Sequence, residues 1–297
     1  MALTLSPGLI TLAAAAAAAL LATGIGAALA RRIGFTAPFN PVVPQQREPA
    51  ALGGGVALFI GIVAGLAAAA AATGAPLLRF GAALLPALIV GLADDISPFR
   101  PLTKLLLQAL AAALGVAVAF AGTPPAGNPG LMLAGVLLGM TLVNAINFLD
   151  ASDGYAASIS AVSFVGLAWF GDSGAAVAVG GACVGFLAWN WPPARIYMGE
   201  TGVQVLGMAG ALLVVAAFHR HWSGAAAIAC FGVALIELVL LVFIRMRRGI
   251  PFWRGSPDHS ALRLQALGFS KARAALAAAS VQAGFVAAAA AIGGFTR

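Results

Sequence analysis

Nine aspartates and glutamates stand among 297 residues, and most of them fall in small groups whose spacing could support chemistry. Asp94 and Asp95 are adjacent, close the run Gly91-Leu92-Ala93, and are followed by Lys104 and Gln108. Neighbouring carboxylates are unfavourable unless a cation, a bound basic group or a proton lies between them, so the pair suits metal holding or general-base duty. Asn144, Asn147, Asp150 and Asp153 recur in steps of three. On a helix the first three share a face, while the stripe drifts by about half a turn over nine residues, so Asp153-Gly154 is expected in a turn. Two amides and two acids can read a nucleobase edge, hold a hydrated metal or order one another. Glu200 lies between Gly199 and Gly202, which permit close backbone approach to a ligand. Tyr197 precedes them, with a ring that could stack on a base or anchor a membrane interface. Residues 246–271 carry Arg247, Arg248, Arg254, Asp258, His259 and Arg263. Arginine forks bind phosphate oxygens bidentately, although a polybasic contact with anionic lipid would use the same side chains.

The elements that position these groups are apolar. Hydrophobic residues make up 62% of the chain and charged residues 8%, with mean hydropathy +1.01, whereas a soluble domain carries roughly 25% charge. A water-soluble globule is excluded. Stretches near 8–30, 52–73, 77–93, 102–121, 130–148, 155–171, 174–190, 203–219, 224–245 and 272–293 are expected to be membrane-spanning helices of about 20 residues. The alternating strands of about 10 residues that mark a barrel are missing. The fold class expected is therefore all-α: a single polytopic transmembrane domain over 1–297, with about ten helices. Ala28-Leu29-Ala30 resembles a signal-peptidase site, but Arg31 and Arg32 follow the apolar run instead of preceding it. A retained first helix with the N-terminus outside fits better.

In that orientation 13 of the 16 lysines and arginines fall in inner connections, with only Arg79, Arg220 and Arg297 outside, as the positive-inside rule requires. The net charge of +7 then serves orientation, and no nucleic-acid partner is expected. Seven acids, Glu48, Asp94, Asp95, Asp150, Asp153, Glu200 and Asp258, share the same side; Asp172 falls in an outer turn. Glu237 lies within the ninth stretch and needs a partner or a water-filled cavity. The inner loops 31–51, 94–101, 149–154, 191–202 and 246–271 are expected to form one cytoplasmic cleft, with acids for a divalent cation and bases for phosphate. Phosphoryl transfer to a membrane lipid is the reaction class this suggests. No Walker A pattern is present, and Gly53-Gly54-Gly55 alone is no phosphate loop. Cys183 and Cys230 lie in apolar runs without metal-ligand spacing.

From Gly53 to about Ser270 the ordered set resembles the bacterial polyprenyl-phosphate N-acetylhexosamine-1-phosphate transferases, a glycosyltransferase family 4 type. The set comprises the glycine cluster, Gly91-Leu-Ala-Asp94-Asp95, Lys104, Asn144-Ala-Ile-Asn147-Phe-Leu-Asp150-Ala-Ser-Asp153-Gly, Pro193-Ala-Arg195-Ile-Tyr197-Met-Gly-Glu200-Thr-Gly, and the loop from His259 to Arg263. The resemblance implies transfer of a sugar-1-phosphate from a UDP-N-acetyl sugar to undecaprenyl phosphate with release of UMP. This would be the first membrane step of a cell-envelope glycan, at the bacterial inner membrane, with Mg²⁺ required and Mn²⁺ as a substitute. By the same carry-over Asp94 and Asp95 bind or deprotonate the lipid phosphate. Lys104, Arg254, His259 and Arg263 hold phosphate; Asn144, Asn147, Asp150, Asp153 and Tyr197 line the nucleotide pocket; Glu200 with Asp95 sits at the metal. A homodimer is kept open. The chain departs from the family pattern in reading Gly199-Glu200-Thr201-Gly202-Val203 for Gly-Asp-x-Gly-Ser, in retaining one loop histidine, and in having Asp150-Ala151 for Asp-Gly. Arg47 is the nearest candidate for the basic residue before the glycines. The alternatives are an intramembrane prenyltransferase using a Mg-diphosphate donor and a non-enzymatic transporter or lipid-binding protein.

Overall fold

A computed structural model describes residues 6–37, 50–168, 173–219, 223–251 and 253–294; Arg47, Glu48, Asp172, Arg220 and Arg297 lie outside the described residues. The described chain is helical, with isolated β-bridges but no strand. In order the helices are α1 Pro7–Ile33, α2 Gly54–Thr73, α3 Leu78–Ile96, α4 Pro101–Phe120, α5 Pro129–Leu149, α6 Tyr155–Leu167, α7 Ser173–Asn190, α8 Gly199–His219, α9 Ser223–Ala229, α10 Gly232–Arg247, α11 Ser260–Ala266 and α12 Lys271–Gly294. Six of them (α1, α2, α4, α5, α8 and α12) are long and apolar enough to cross a membrane, and α6 and α7 are shorter apolar helices. The architecture is that of an all-α, multi-pass membrane protein. Over its described residues, each apolar stretch read from the sequence falls on a helix, with one correction: the ninth divides into α9 and α10 at Cys230-Phe231. The inner loop 246–271 also contains a short helix, α11.

Local sequence explains where helices begin and end. Proline opens α1, α4 and α5, where its missing N–H costs nothing, and Asn128 Oδ1 accepts the Leu131 N–H at 3.0 Å. Hydroxyls within the spans are satisfied by the preceding turn: Thr11 Oγ1 donates to the Pro7 carbonyl and Thr141 Oγ1 to that of Leu137, each at 2.8 Å. Lipid offers no alternative partner.

Packing rests on small residues, because lipid tails are as apolar as leucine and close backbone approach supplies the association energy. On α1, Thr11, Ala15, Ala19, Thr23 and Ala27 form a buried stripe in steps of four, which seats α1 against α2 and α7. Glycines face the stripe: a Cβ on Gly61 would stand 2.6 Å from that of Ala19. Helix α8 is the central post, with 89% of its apolar window buried against 22% for α1. It is packed by α2, α3, α4 and α5.

Candidate active site

The ends of α3 and α5 and the starts of α4, α8 and α12 meet at one end of the bundle, and the polar groups meet there with them. The start of α8 is fixed by backbone. Residues 51–55 pair with 196–198, through Tyr197 N–H to the Ala51 carbonyl (2.8 Å), Gly54 N–H to that of Tyr197 (3.1 Å) and Gly55 N–H to that of Met198 (2.9 Å). A Cβ on Gly91 would lie 2.5 Å from the Thr201 Cα, so glycine there lets the end of α3 press on the first turn of α8.

That approach delivers Asp95 to α8. Its Oδ1 accepts the Glu200 N–H at 2.8 Å, and its Oδ2 accepts the Thr201 N–H at 3.0 Å and the Thr201 hydroxyl at 2.6 Å. Asp95 thus caps a neighbouring helix, and the positive N-terminus of α8 compensates an acid placed at the unfavourable C-terminal end of α3. Gly199 has φ +67° and a Cβ there would stand 2.7 Å from both Asp95 oxygens. The close approach expected of Gly199 is therefore made by this carboxylate. Thr201 was legible only as a position within the motif; its hydroxyl completes the cap.

Asp94 turns the other way. Its Oδ1 accepts the Phe99 N–H at 2.7 Å and its Oδ2 meets Lys104 Nζ at 3.1 Å. Lys104 bridges to Glu200 Oε1 at 2.6 Å, and Asn147 Nδ2 donates to the same oxygen at 3.0 Å. The other oxygen of Glu200, Oε2, is buried without a partner among the described residues. Asp150 has no hydrogen bond or ion pair to its carboxylate there either. Removal from water, and then the charges of Glu200, Asp95 and Asp153, hold the Asp150 carboxyl well above the usual carboxylate range. Tyr197 is half-buried, and burial with the Asp153 and Asp150 charges pushes its hydroxyl up to about 12.

The remaining expected residues divide between the cluster and its supports. Asp153 Oδ2 pairs with Lys271 Nζ at 2.9 Å and accepts the Ala194 N–H at 3.2 Å, tying α12 and the 191–198 segment to the turn after α5. Asn144 lies one turn deeper, donating to Gln108 Oε1 at 3.1 Å and to the Met140 carbonyl at 2.8 Å. His259 is buried with Nδ1 2.7 Å from the Phe148 carbonyl, and burial lowers its pKa below the ordinary histidine value. The neutral ring then donates from Nδ1 and keeps an acceptor at Nε2, so holding phosphate there first requires proton uptake. Arg254 and Arg263 are exposed and make no side-chain hydrogen bond or ion pair among the described residues. Glu237 finds its partner in the loop: Oε1 accepts the Ser260 N–H at 2.9 Å. Arg245, read only as an inner cation, is buried with its guanidinium 4.7 Å from the Phe148 ring centroid.

Several carboxylates with unspent oxygens beside a lysine and an amide can bind and orient a polyphosphate. Three acids or histidines do not converge into a preformed metal set among the described residues. A smaller set still fits Mg²⁺, which keeps several waters and is held by one or two carboxylates plus substrate phosphates. Among the described residues, Glu200 Oε2 and the Asp150 carboxylate are oxygen sources open to such an ion.

The glycosyl transferase family 4 model matches residues 77–218, from the start of α3 to the end of α8. Decaprenyl-phosphate N-acetylglucosaminephosphotransferase of Mycobacterium tuberculosis is 28% identical over 86% of this chain and 75% of its own. A Bacillus subtilis protein named probable undecaprenyl-phosphate N-acetylglucosaminyl 1-phosphate transferase is 27% identical over 73% of this chain and 66% of its own. Phospho-N-acetylmuramoyl-pentapeptide-transferase of Lactobacillus gasseri is 31% identical over 57% of each chain. The family 4 model thus matches α3 to α8, just under half of the chain, and these relatives extend the similarity along most of the sequence.

Proposed function

We propose that this protein transfers a sugar-1-phosphate from a UDP-N-acetylhexosamine to undecaprenyl phosphate, releasing UMP, at the cytoplasmic face of a bacterial inner membrane. One arrangement carries the reading: among the described residues Glu200, held at Oε1 by Lys104 and Asn147, keeps Oε2 unpartnered, and the nearby Asp150 carboxylate has no partner either. Ten crossings with the N-terminus outside put this end of the bundle, and 13 of 16 cations, on the inner side. The printed names of the relatives supply the substrate classes.

Both reactants are anions, so charge compensation is the first requirement. When bound at Glu200 and Asp150, a divalent cation supplies neutralisation and a fixed geometry for the diphosphate. Asn147 holds Glu200 in place, and Lys104, suspended between two carboxylates, reaches phosphate oxygens by exchanging one of them. Tyr197 offers its ring to the uracil while its hydroxyl stays protonated at neutral pH. The lipid phosphate already presents an anionic oxygen and attacks without a base. That oxygen bonds to the sugar-bearing phosphorus, the bond from this phosphorus to the UMP oxygen breaks, and UMP leaves with the electron pair. Asp95 organises the start of α8 in this scheme, and Asp150 takes the ligand position that the resemblance gave to Asp95.

The test is UMP release by the detergent-purified chain with undecaprenyl phosphate, Mg²⁺ and a panel of UDP-N-acetyl sugars. Release that depends on lipid and cation, and that falls at least a hundredfold in Asp150→Asn, is the expected result. Silence across the panel from folded protein, or full activity in Asp150→Asn, overturns the reading.

A further inference from the structure

A second polar layer lies beneath the acid site. One turn deeper, about 5.4 Å, Lys104 of α4 is succeeded by Gln108, Glu200 of α8 by Gln204, and Asn147 of α5 by Asn144. The layers on either side touch across the three helices. Above, Lys104 and Asn147 both reach Glu200 Oε1. Below, a Cβ on Gly139 would meet Met208 Sδ at 3.2 Å and Ala112 Cβ at 3.3 Å, and one on Gly115 would meet Met208 Cε at 3.1 Å. The middle layer therefore faces the same seam, which Asn144 already crosses to Gln108. Gln108 and Gln204 are 3% and 1% exposed. Three buried atoms of these two adjoining layers have no partner among the described residues: the donors Gln108 Nε2 and Gln204 Nε2, and the acceptor Glu200 Oε2.

Two amide donors and one carboxylate oxygen are the complement of a single water, which accepts twice and donates once. Amide N–H groups would repel a cation, and Glu200 would repel an anion. Buried waters characteristically make about three such bonds to groups otherwise unsatisfied. We propose that a resident water in the α4–α5–α8 seam bridges Gln108 and Gln204 to Glu200 Oε2. Glu200 is then held at Oε1 by Lys104 and Asn147 and through one lone pair of Oε2 from below, the other lone pair staying open to a cation, and the two glutamines are positioning residues for it. That role in turnover rests on the transferase reading; the water site does not.

Gln204 decides the matter, because its side chain makes no direct protein hydrogen bond among the described residues. Gln204→Met removes the donor at similar volume. If the amide binds water, its loss lowers the melting temperature in detergent, without substrate or cation, by about 2–4 °C. If the amide is orphaned, its loss leaves the melting temperature unchanged or raises it, which overturns the proposal. A density map of the wild type that resolves waters gives an independent reading: a peak within hydrogen-bond reach of all three atoms supports it, and no peak there overturns it even where Gln204→Met fails to fold. In a preparation that releases UMP, the variant is expected to lose about tenfold in kcat with KM for the UDP-sugar within twofold; a matching rise in KM would overturn the positioning role. Silence of the wild type in UMP release, with the expected melting and density, retracts the transferase reading alone.

Discussion

Asp95 and Asp150 are both expected from sequence to matter for chemistry, yet the structure gives their carboxylates opposite energetic roles. Asp95 accepts three hydrogen bonds from the first turn of α8; Asp150 accepts none among the described residues and is pressed by three other carboxylates. In Asp95→Asn one side-chain oxygen becomes an amide donor. Whichever way the amide faces, at least one α8 N–H loses its acceptor and meets a second donor. Leaving such a group unsatisfied costs about 1–3 kcal/mol, and whatever bonds remain lose their charge assistance. Since the cap is half-buried, a destabilisation of about 2 kcal/mol is expected.

Asp150→Asn removes no hydrogen bond and relieves repulsion, so it is expected to leave the cation-free protein as stable or more stable. The pH dependence separates them further. Because the folded-state pKa of Asp150 is raised, its protonated form stabilises the fold below the usual carboxylate range, and that contribution is lost as pH rises through the raised value. Thermal unfolding in detergent and chelator, scanned from pH 4 to 8, should show the wild type losing stability relative to Asp150→Asn as pH rises. Asp95→Asn should lie below both at neutral pH. Equal destabilisation by the two substitutions, or a wild-type curve parallel to that of Asp150→Asn, would refute this division of labour.

Three other outcomes follow from the geometry. Gly91→Ala sets a methyl against the Thr201 backbone, which cannot yield as a side chain would, and is expected to cost at least about 1–3 kcal/mol with loss of activity, read by unfolding and UMP release. Tyr197→Phe should keep turnover within about threefold, since the hydroxyl has no hydrogen-bond partner among the described residues, whereas Tyr197→Ala should raise KM for the nucleotide sugar about tenfold by loss of stacking. Lys271→Met leaves Asp153 without its half-buried cation; a destabilisation of about 1 kcal/mol, largely restored in Lys271→Arg, is the expected result of a melting series.

The helices themselves were written in composition. With 62% of residues hydrophobic and no barrel-type alternation, backbone polar groups can be satisfied in lipid only within helices, so apolar runs read one by one already mark them. The break at Cys230-Phe231 was not legible, because hydropathy is continuous across it. The candidate site was legible as a set of residues and as a convergence at one end of the bundle, since helices of alternating direction bring every second connection together. The occupation of each side chain was not. Adjacent Asp94 and Asp95 look equivalent along the chain, but successive helical residues point about 100° apart, sending one to Lys104 and the other to α8. Asn144 and Asn147 look like one motif, yet one turn of α5 places them in different layers. Composition and period decided which elements form and which end of the bundle is polar, because those depend on local free energies. Which carboxylate is spent and which remains open was decided only by packing, because a hydrogen-bond partner far off in sequence is chosen by the distance at which two helices are allowed to meet.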